Sequence, residues 1–138
     1  MLRADYYITD QNGEWGVQGI SSPLNYPSAR TFGPNCWTDN NGDLWLFGGY
    51  GFDVNGDQGG LSDLWKYNVS TNEWTWVSGS NLKEIAPIYG VMGVASPQNN
   101  PGARLEFKSG WVDDNNNLWM FGGQDGATAA FSLNIRND

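Results

Sequence analysis

The clearest pattern in the chain is a short apolar run that ends in two glycines, D-L-W-L-F-G-G at residues 43–49. Successive side chains of a strand point to opposite faces, so Leu44 and Leu46 would face one way and Trp45 and Phe47 the other. Both faces are apolar, which is typical of a strand buried on both sides. Because no helical pattern separates this strand from its neighbours, we expect other sheets to cover it.

Similar apolar and aromatic runs flank this strand, and each is bounded by turn residues. Together with 43–49, three of them predict an antiparallel four-stranded sheet: Thr31–Thr38, Leu64–Asn68 and Glu73–Gly79. Further along, three more predict most of a second sheet: Leu105–Val112, Leu118–Gly123 and Ala130–Ile135. The pattern therefore predicts an all-β fold with few helices or none.

The turns between these strands are also readable. Asp39 to Gly42 predicts a hairpin, because both residues of the pair Asn41-Gly42 accept positive φ. The corresponding pair in the second half is Asn115-Asn116, which tolerates that geometry less well. The stretch from Tyr50 to Gly60 is polar and rich in glycine and predicts a flexible loop.

The two halves of the chain are copies of each other. Of the 35 residues from Trp15 to Gly49, 17 recur unchanged and without a gap 74 positions later, between Tyr89 and Gly123. A long period filled with strand signals indicates a modular β architecture whose units pack on one another. The 138 residues hold fewer than two such periods, whereas repeat folds usually need about three or more. We therefore expect an incomplete assembly or a segment of a larger one.

Composition and charge exclude several classes of function. The net charge of −8 repels phosphate backbones and anionic lipids, so neither nucleic acid nor a membrane is an expected partner. The chain has no histidine, which removes Ser-His and Cys-His nucleophiles. Its single cysteine, Cys36, is expected to pack rather than react. No signal-peptide core and no apolar run of about 20 residues is visible, and the compartment stays undetermined.

Three segments together resemble the Kelch repeat in the long-loop form of galactose-oxidase-like β-propellers. They are P-S-A-R, W-T-D-N-N-G-D-L-W-L-F-G-G and S-D-L-W-K-Y-N-V-S-T-N-E-W-T-W, and the match covers most of residues 15–135. The resemblance implies Kelch-type β-propeller blades, about two four-stranded antiparallel blades of an incomplete propeller or a segment of one. Galactose oxidase itself holds copper through tyrosine and histidine, and the absence of histidine excludes that chemistry for this chain.

The resemblance also divides the chain. Residues 1–26 would be an N-terminal lead-in and inter-blade connection, 27–79 the first blade, 80–100 an inter-blade loop, and 101–138 a second blade lacking its fourth strand. Residues 1–14 match either the segment 75–88 or the segment 62–74, and the sequence does not choose between them. Pro34, Glu106 and Lys108 depart from the small apolar residues usual in the innermost strand. A proline there belongs at an edge or a bulge.

Several polar residues are candidates for sites. Asp53, Asn55 and Asp57 offer oxygen ligands at alternate positions, as calcium loops do, but Gln58 and Leu64 break the EF-hand pattern, which favours an acidic loop. Asn68 begins the glycosylation sequon N-V-S, which is usable if the chain is secreted. Arg30 with Arg104 and Asp39 with Asp113 recur in both copies, and we expect them to be structural, as an ion pair between blades.

Loops at the rims of the sheets are the expected interaction surface, because loops on a rigid scaffold carry recognition. The candidate binding residues are Tyr50, Phe52, Ile88, Tyr89 and Met92. In the alternative interpretation, which the recurrence of G-V-x-G favours, the apolar residues of 78–100 cover the edge of a blade.

The function we expect is that of a non-enzymatic scaffold that binds a protein or another ligand through blade loops, without a cofactor, catalytic residues or a resident metal. The alternative is a fragment of a larger galactose-oxidase-like or carbohydrate-recognising propeller, with active residues on absent blades. A third hypothesis has copies associating head to tail to complete a propeller.

Overall fold

The computed structural model describes residues 10–126, and these residues form an all-β structure without a helix, as predicted. The strands of this region are β1 (Arg30–Thr31), β2 (Asn35–Thr38), β3 (Leu44–Phe47), β4 (Tyr50–Phe52), β5 (Gln58–Gly60), β6 (Leu64–Asn68), β7 (Glu73–Ser78), β8 (Arg104–Val112) and β9 (Leu118–Asp125). They pair into three antiparallel sheets, β1-β4-β5, β2-β3-β6-β7 and β8-β9.

The four-stranded sheet β2-β3-β6-β7 contains much of the core. Its last three strands lie close to the bounds predicted from sequence, because each is a local aromatic run closed by a turn. Trp65 at its centre is fully buried, and Phe47 and Tyr67 are 6% and 7% exposed. Trp15, from the segment before the first strand, packs on Trp65 with ring centroids 6.0 Å apart.

The strand predicted over residues 31–38 is wrong in its extent, because the chain breaks within it. Phe32 and Gly33 have φ of 51° and 64°, which no strand tolerates, so β1 ends at Thr31 and β2 begins at Asn35. Pro34 therefore lies just before β2, where its missing N–H costs no ladder bond. β1 pairs with β4 in a different sheet.

The segment from Tyr50 to Gly60, predicted as a flexible loop, is a hairpin. β4 and β5 pair from Tyr50↔Gly60 to Phe52↔Gln58. The sequence pattern did not predict these strands because three of the six paired residues are glycines, and glycine has low strand propensity. One reason for them is close packing: a Cβ on Gly59 would lie 2.8 Å from the Lys83 side chain, and one on Gly60 2.5 Å from the Gly126 carbonyl oxygen.

The double glycine after β3 redirects the chain from the four-stranded sheet into β4. Gly48 and Gly49 have φ of 65° and 89°, the region that glycine enters without a steric cost. A Cβ on Gly48 would lie 2.7 Å from the Arg104 carbonyl oxygen, and the Gly49 N–H donates to that same oxygen at 2.9 Å. The motif thus ends a strand and also lets the second repeat approach the first.

The hairpin β8-β9 lies beside the four-stranded sheet β2-β3-β6-β7, which we call the first sheet. The Trp37 indole N–H of β2 donates to the Trp119 carbonyl of β9 at 3.0 Å. The hairpin register shifts between Leu105 and Lys108, so Glu106 falls at a bulge, where a charge does not interrupt a regular ladder. The strand predicted at Ala130–Ile135 and the first nine residues lie outside the described residues.

Candidate functional site

Two copies of one loop carry many of the exposed apolar residues in the part of the chain that the structure describes. We call residues 15–26 connector 1 and residues 89–100 connector 2. Each is closed by an antiparallel bridge, Glu14 with Tyr26 and Ile88 with Asn100. Each contains the same tight turn, in which the Ile20 N–H donates to the Val17 carbonyl and the Val94 N–H to the Val91 carbonyl, both at 3.0 Å.

Glycine and asparagine give the connectors this shape. Positive φ is required at equivalent glycines, which explains the recurring G-V-x-G: Gly16 at 61°, Gly19 at 81°, Gly90 at 63° and Gly93 at 79°. The Asn25 amide donates to the Ile20 carbonyl at 2.9 Å, and Asn99 repeats this bond to Val94 at 3.2 Å. Sequence similarity between the copies therefore reflects a shared backbone path.

Connector 1 covers the outer strand of the four-stranded sheet. The Gly19 N–H donates to the Trp76 carbonyl at 2.8 Å and the Ser22 N–H to the Trp74 carbonyl at 3.3 Å. The Asn25 amide adds a bond to the Trp74 carbonyl at 3.2 Å, and Asn25 is buried as a result. These contacts occupy the open edge of β7, which would otherwise be available for pairing with another strand.

The outer side of connector 1 forms an open groove of about 520 Å³. Its lining includes four exposed apolar side chains, namely Val17 (64%), Ile20 (59%), Leu24 (69%) and Tyr26 (42%). Glu14 is the one charged residue in the lining. The sequence prediction missed this groove, and the repeat gives only a partial signal for it: Val17 and Ile20 recur as Val91 and Val94, whereas Leu24 and Tyr26 correspond to Gln98 and Asn100.

Three of the predicted binding residues lie in connector 2 or just before it, and all three are exposed. Ile88, Tyr89 and Met92 are 55%, 48% and 98% exposed. The Tyr89 hydroxyl accepts a hydrogen bond from the Arg104 guanidinium at 3.1 Å, which anchors the start of the connector to β8. The other two candidates, Tyr50 and Phe52, lie on β4 in a different sheet and are only half-exposed.

The predicted calcium ligands form a hairpin turn instead of an open loop. One oxygen of the Asp53 carboxylate accepts the N–H groups of Asn55 and Asp57 at 2.8 and 3.0 Å, and the other accepts the Lys83 N–H at 3.3 Å. Asp53 is 2% exposed. Between residues 10 and 126, no cluster of three or more His, Cys, Asp or Glu side chains could hold a metal ion. The calcium hypothesis stays a prediction, and the geometry gives Asp53 a structural role.

Asp39 and Asp113 occupy the same position in two further hairpin turns. Burial raises the pKa of Asp39, but several groups together lower it below its ordinary value. They are the Trp45 indole N–H, the backbone N–H groups of Asp43 and Asn41, and the Lys66 charge. Hydrogen bonds from Asn117 and the Trp119 indole lower the pKa of Asp113 to about 2. These carboxylates hold turns and are unsuited to proton transfer near neutral pH.

The expected ion pair between recurring Arg and Asp residues is wrong in its partner. Arg30 forms a two-pronged pair with Asp63 of the same repeat, at 2.8 and 3.0 Å, and both side chains are buried. Asp63 also accepts the Trp65 indole N–H at 2.7 Å. Asp63 has no aspartate counterpart at the 66-residue spacing that aligns Leu64 with Ala130, so the repeat itself gave no signal for it.

Two other candidates lie on the surface. Asn68 opens an exposed turn in which its side-chain oxygen accepts the N–H groups of Ser70 and Thr71 at 2.9 and 3.0 Å. Glycosylation there stays a prediction. Cys36, expected to pack, is exposed, because its side chain faces away from the second repeat.

The comparisons with known proteins give no assignment. No family model, curated protein or solved structure matches the chain. In the described region, no helix is long and apolar enough to cross a membrane.

Proposed function

We propose that the chain is a non-enzymatic segment of a Kelch-type β-propeller that binds a protein ligand through its connectors. The single observation that carries the proposal is the groove on connector 1. Four apolar side chains stay exposed there, although the hydrogen bonds beneath them fix the backbone to β7. A rigid backbone that presents exposed apolar side chains is suited to binding, because little conformational entropy is lost on association.

The groove favours an extended peptide with apolar side chains. Its volume of about 520 Å³ lies within the usual range for ligand sites, and its lining is mainly apolar with one carboxylate. The net charge of −8 adds a preference for a peptide that also carries lysine or arginine.

A displayed library of random 12-residue peptides tests this proposal. We expect enrichment of sequences that combine apolar residues with a basic residue, and loss of their binding in the double variant Ile20→Ser/Leu24→Ser. Val69→Ser, which alters an apolar residue 49% exposed on the turn after β6, is the matched control and should leave binding unchanged. Enrichment that persists in the groove variant would contradict the site, and absence of any enrichment would contradict peptide binding.

A further inference from the structure

The packing of the two repeats on each other supplies a template for a second interface. Directly opposed residues of neighbouring strands share one face of a sheet. Trp37 and Trp45 are opposed in the first sheet, and we call their side the front face. Gly110 and Met120 are opposed in the second hairpin, and we call their side the back face. The front face of the first repeat packs on the back face of the second, where the Trp37 indole N–H donates to the Trp119 backbone carbonyl.

The counterparts of these faces are uncovered at the strands that form the internal interface. On the front face of the second hairpin, Trp111, Trp119 and Phe121 are 49%, 47% and 53% exposed, whereas Trp37, the counterpart of Trp111, is 8% exposed. On the back face of the first sheet, Trp65 of β6 is buried under Trp15, but the part formed by β2 and β3 is open. There Cys36 and Thr38 are exposed and Leu44 is 39% exposed. The chain therefore presents one half of its internal interface at each end.

The sizes of facing residues match across these two ends. In the internal interface Gly110 faces Asn35, and a Cβ on Gly110 would lie 2.5 Å from the Asn35 amide nitrogen and 2.7 Å from the Trp37 indole nitrogen. Cys36 takes the place of Gly110 on the first sheet, and Ser109 takes the place of Asn35 on the second hairpin. Inside the chain a large residue, Asn35, thus faces glycine, and between copies the smaller Ser109 would face the larger Cys36.

We propose that the front face of the second hairpin packs on the back face of the first sheet of a second copy of this chain, head to tail. Such a heterologous interface closes into a ring or continues as a filament, depending on the rotation per copy. This proposal shares one assumption with the proposed function, namely that each repeat is a unit that packs on its neighbour. It does not involve the connectors, so peptide binding and self-association can fail separately.

Sedimentation velocity of three proteins, in about 0.5 M NaCl to screen the repulsion between chains of charge −8, tests the proposal. We expect wild type to form species larger than a dimer as its concentration rises. Trp111→Arg blocks the front face and Leu44→Arg the back face, and each alone should remain at 15.2 kDa. An equimolar mixture of the two should form a dimer and nothing larger, because only one intact pair of faces remains.

Each result bears on the proposal. A wild type that is monomeric at 1 mM overturns it, whether the face is then covered by another protein or left in water. Dimers of Leu44→Arg alone would indicate front-to-front contact and also overturn it. Val69→Ser should associate as wild type does, and circular dichroism of each variant separates loss of association from loss of folding.

A cross-link supplies a second readout. Ser109→Cys would place a thiol opposite Cys36 of the next copy, and diamide would join them as a disulfide while taking up the two hydrogens. We expect a ladder of covalent oligomers from Ser109→Cys, and no covalent dimer from either single-cysteine protein, wild type or Cys36→Ser/Ser109→Cys, at the same concentration. Absence of the ladder, or a covalent dimer of either single-cysteine protein, contradicts the arrangement.

Discussion

At the scale of single residues, buried polar groups with fixed partners shape this protein. Arg30 and Asp63 are both buried, and their two-pronged pair also takes in the Gly48 carbonyl and the Trp65 indole. Breaking such a pair leaves one charge buried without its partner, which is far more costly than removing a surface pair. The repeated aspartates Asp39 and Asp113 also have fixed partners, because each carboxylate accepts hydrogen bonds from several N–H groups of its turn.

Asp63→Ala is expected to destabilise the protein by about 3–5 kcal/mol, because the Arg30 charge would remain buried without its counter-charge. Asp57→Ala is the control, since the Asp57 side chain is 64% exposed and 4.0 Å from Lys83, and such pairs contribute about 0–1 kcal/mol. Urea unfolding followed by tryptophan fluorescence measures both. Equal effects of the two substitutions would contradict the role assigned to the buried pair.

The hydrogen bonds of Asp113 should make the free energy of unfolding depend on pH in the acid range. Its pKa is about 2 in the folded protein and lies near 3.8 when unperturbed, so the folded state favours the ionised carboxylate. That stabilisation is present above about pH 4 and is lost as the pH falls from 3.8 towards 2. The difference in free energy of unfolding between wild type and Asp113→Asn should therefore shrink over that range. A difference that is constant from pH 5 to pH 2 would contradict the assignment.

At the scale of elements, the hairpins depend on one residue of positive φ each. In the β2-β3 turn, only Gly42 of the predicted Asn41-Gly42 pair has positive φ, at 85°. The turn is therefore a three-residue loop and not the expected two-residue type. The β8-β9 turn repeats it with Asn116 at 66°. A shared backbone thus accommodates glycine in one copy and asparagine in the other.

Gly42→Ala should cost about 1–2 kcal/mol, because an L residue with a Cβ is strained in the left-handed region although the space around Gly42 is open. Gly42→Asn should cost less, since asparagine tolerates that region and occupies it in the second hairpin. Thermal or urea unfolding of the two variants gives the order, and a smaller loss for alanine than for asparagine would contradict the turn geometry.

Elements were predictable from sequence where their signals are local. β3, β6 and β7 are aromatic runs closed by turns, and each was found within about two residues. β4 and β5 were not predicted because their glycines carry no strand signal. β1 and β2 were predicted as one strand although Gly33-Pro34 between them is a turn signal. Of the predicted binding residues, Ile88, Tyr89 and Met92 are exposed, and their role in binding stays a prediction; the groove of connector 1 emerged only from the folded geometry.

At the scale of the whole molecule, contact between sheets depends on matched sizes. Gly110 permits the approach of Asn35 and Trp37. Gly110→Cys should therefore overpack the interface and cost about 1–3 kcal/mol. Adding Asn35→Ser should recover part of the loss, because it reproduces the pairing of Cys36 with Ser109. A double-mutant cycle by urea unfolding measures the coupling, and strictly additive effects would contradict direct contact between these positions.

The sequence by itself determined the all-β class, the repeat and most strands of the central sheet, because alternation, turn residues and internal similarity are local properties of the chain. Only the tertiary structure decided which members of a repeated pair are buried. Trp37 and Trp111 occupy the same position in their repeats, yet one is covered and the other is half-exposed. Burial depends on which sheet lies opposite, and that neighbour is set by contacts between residues far apart in sequence.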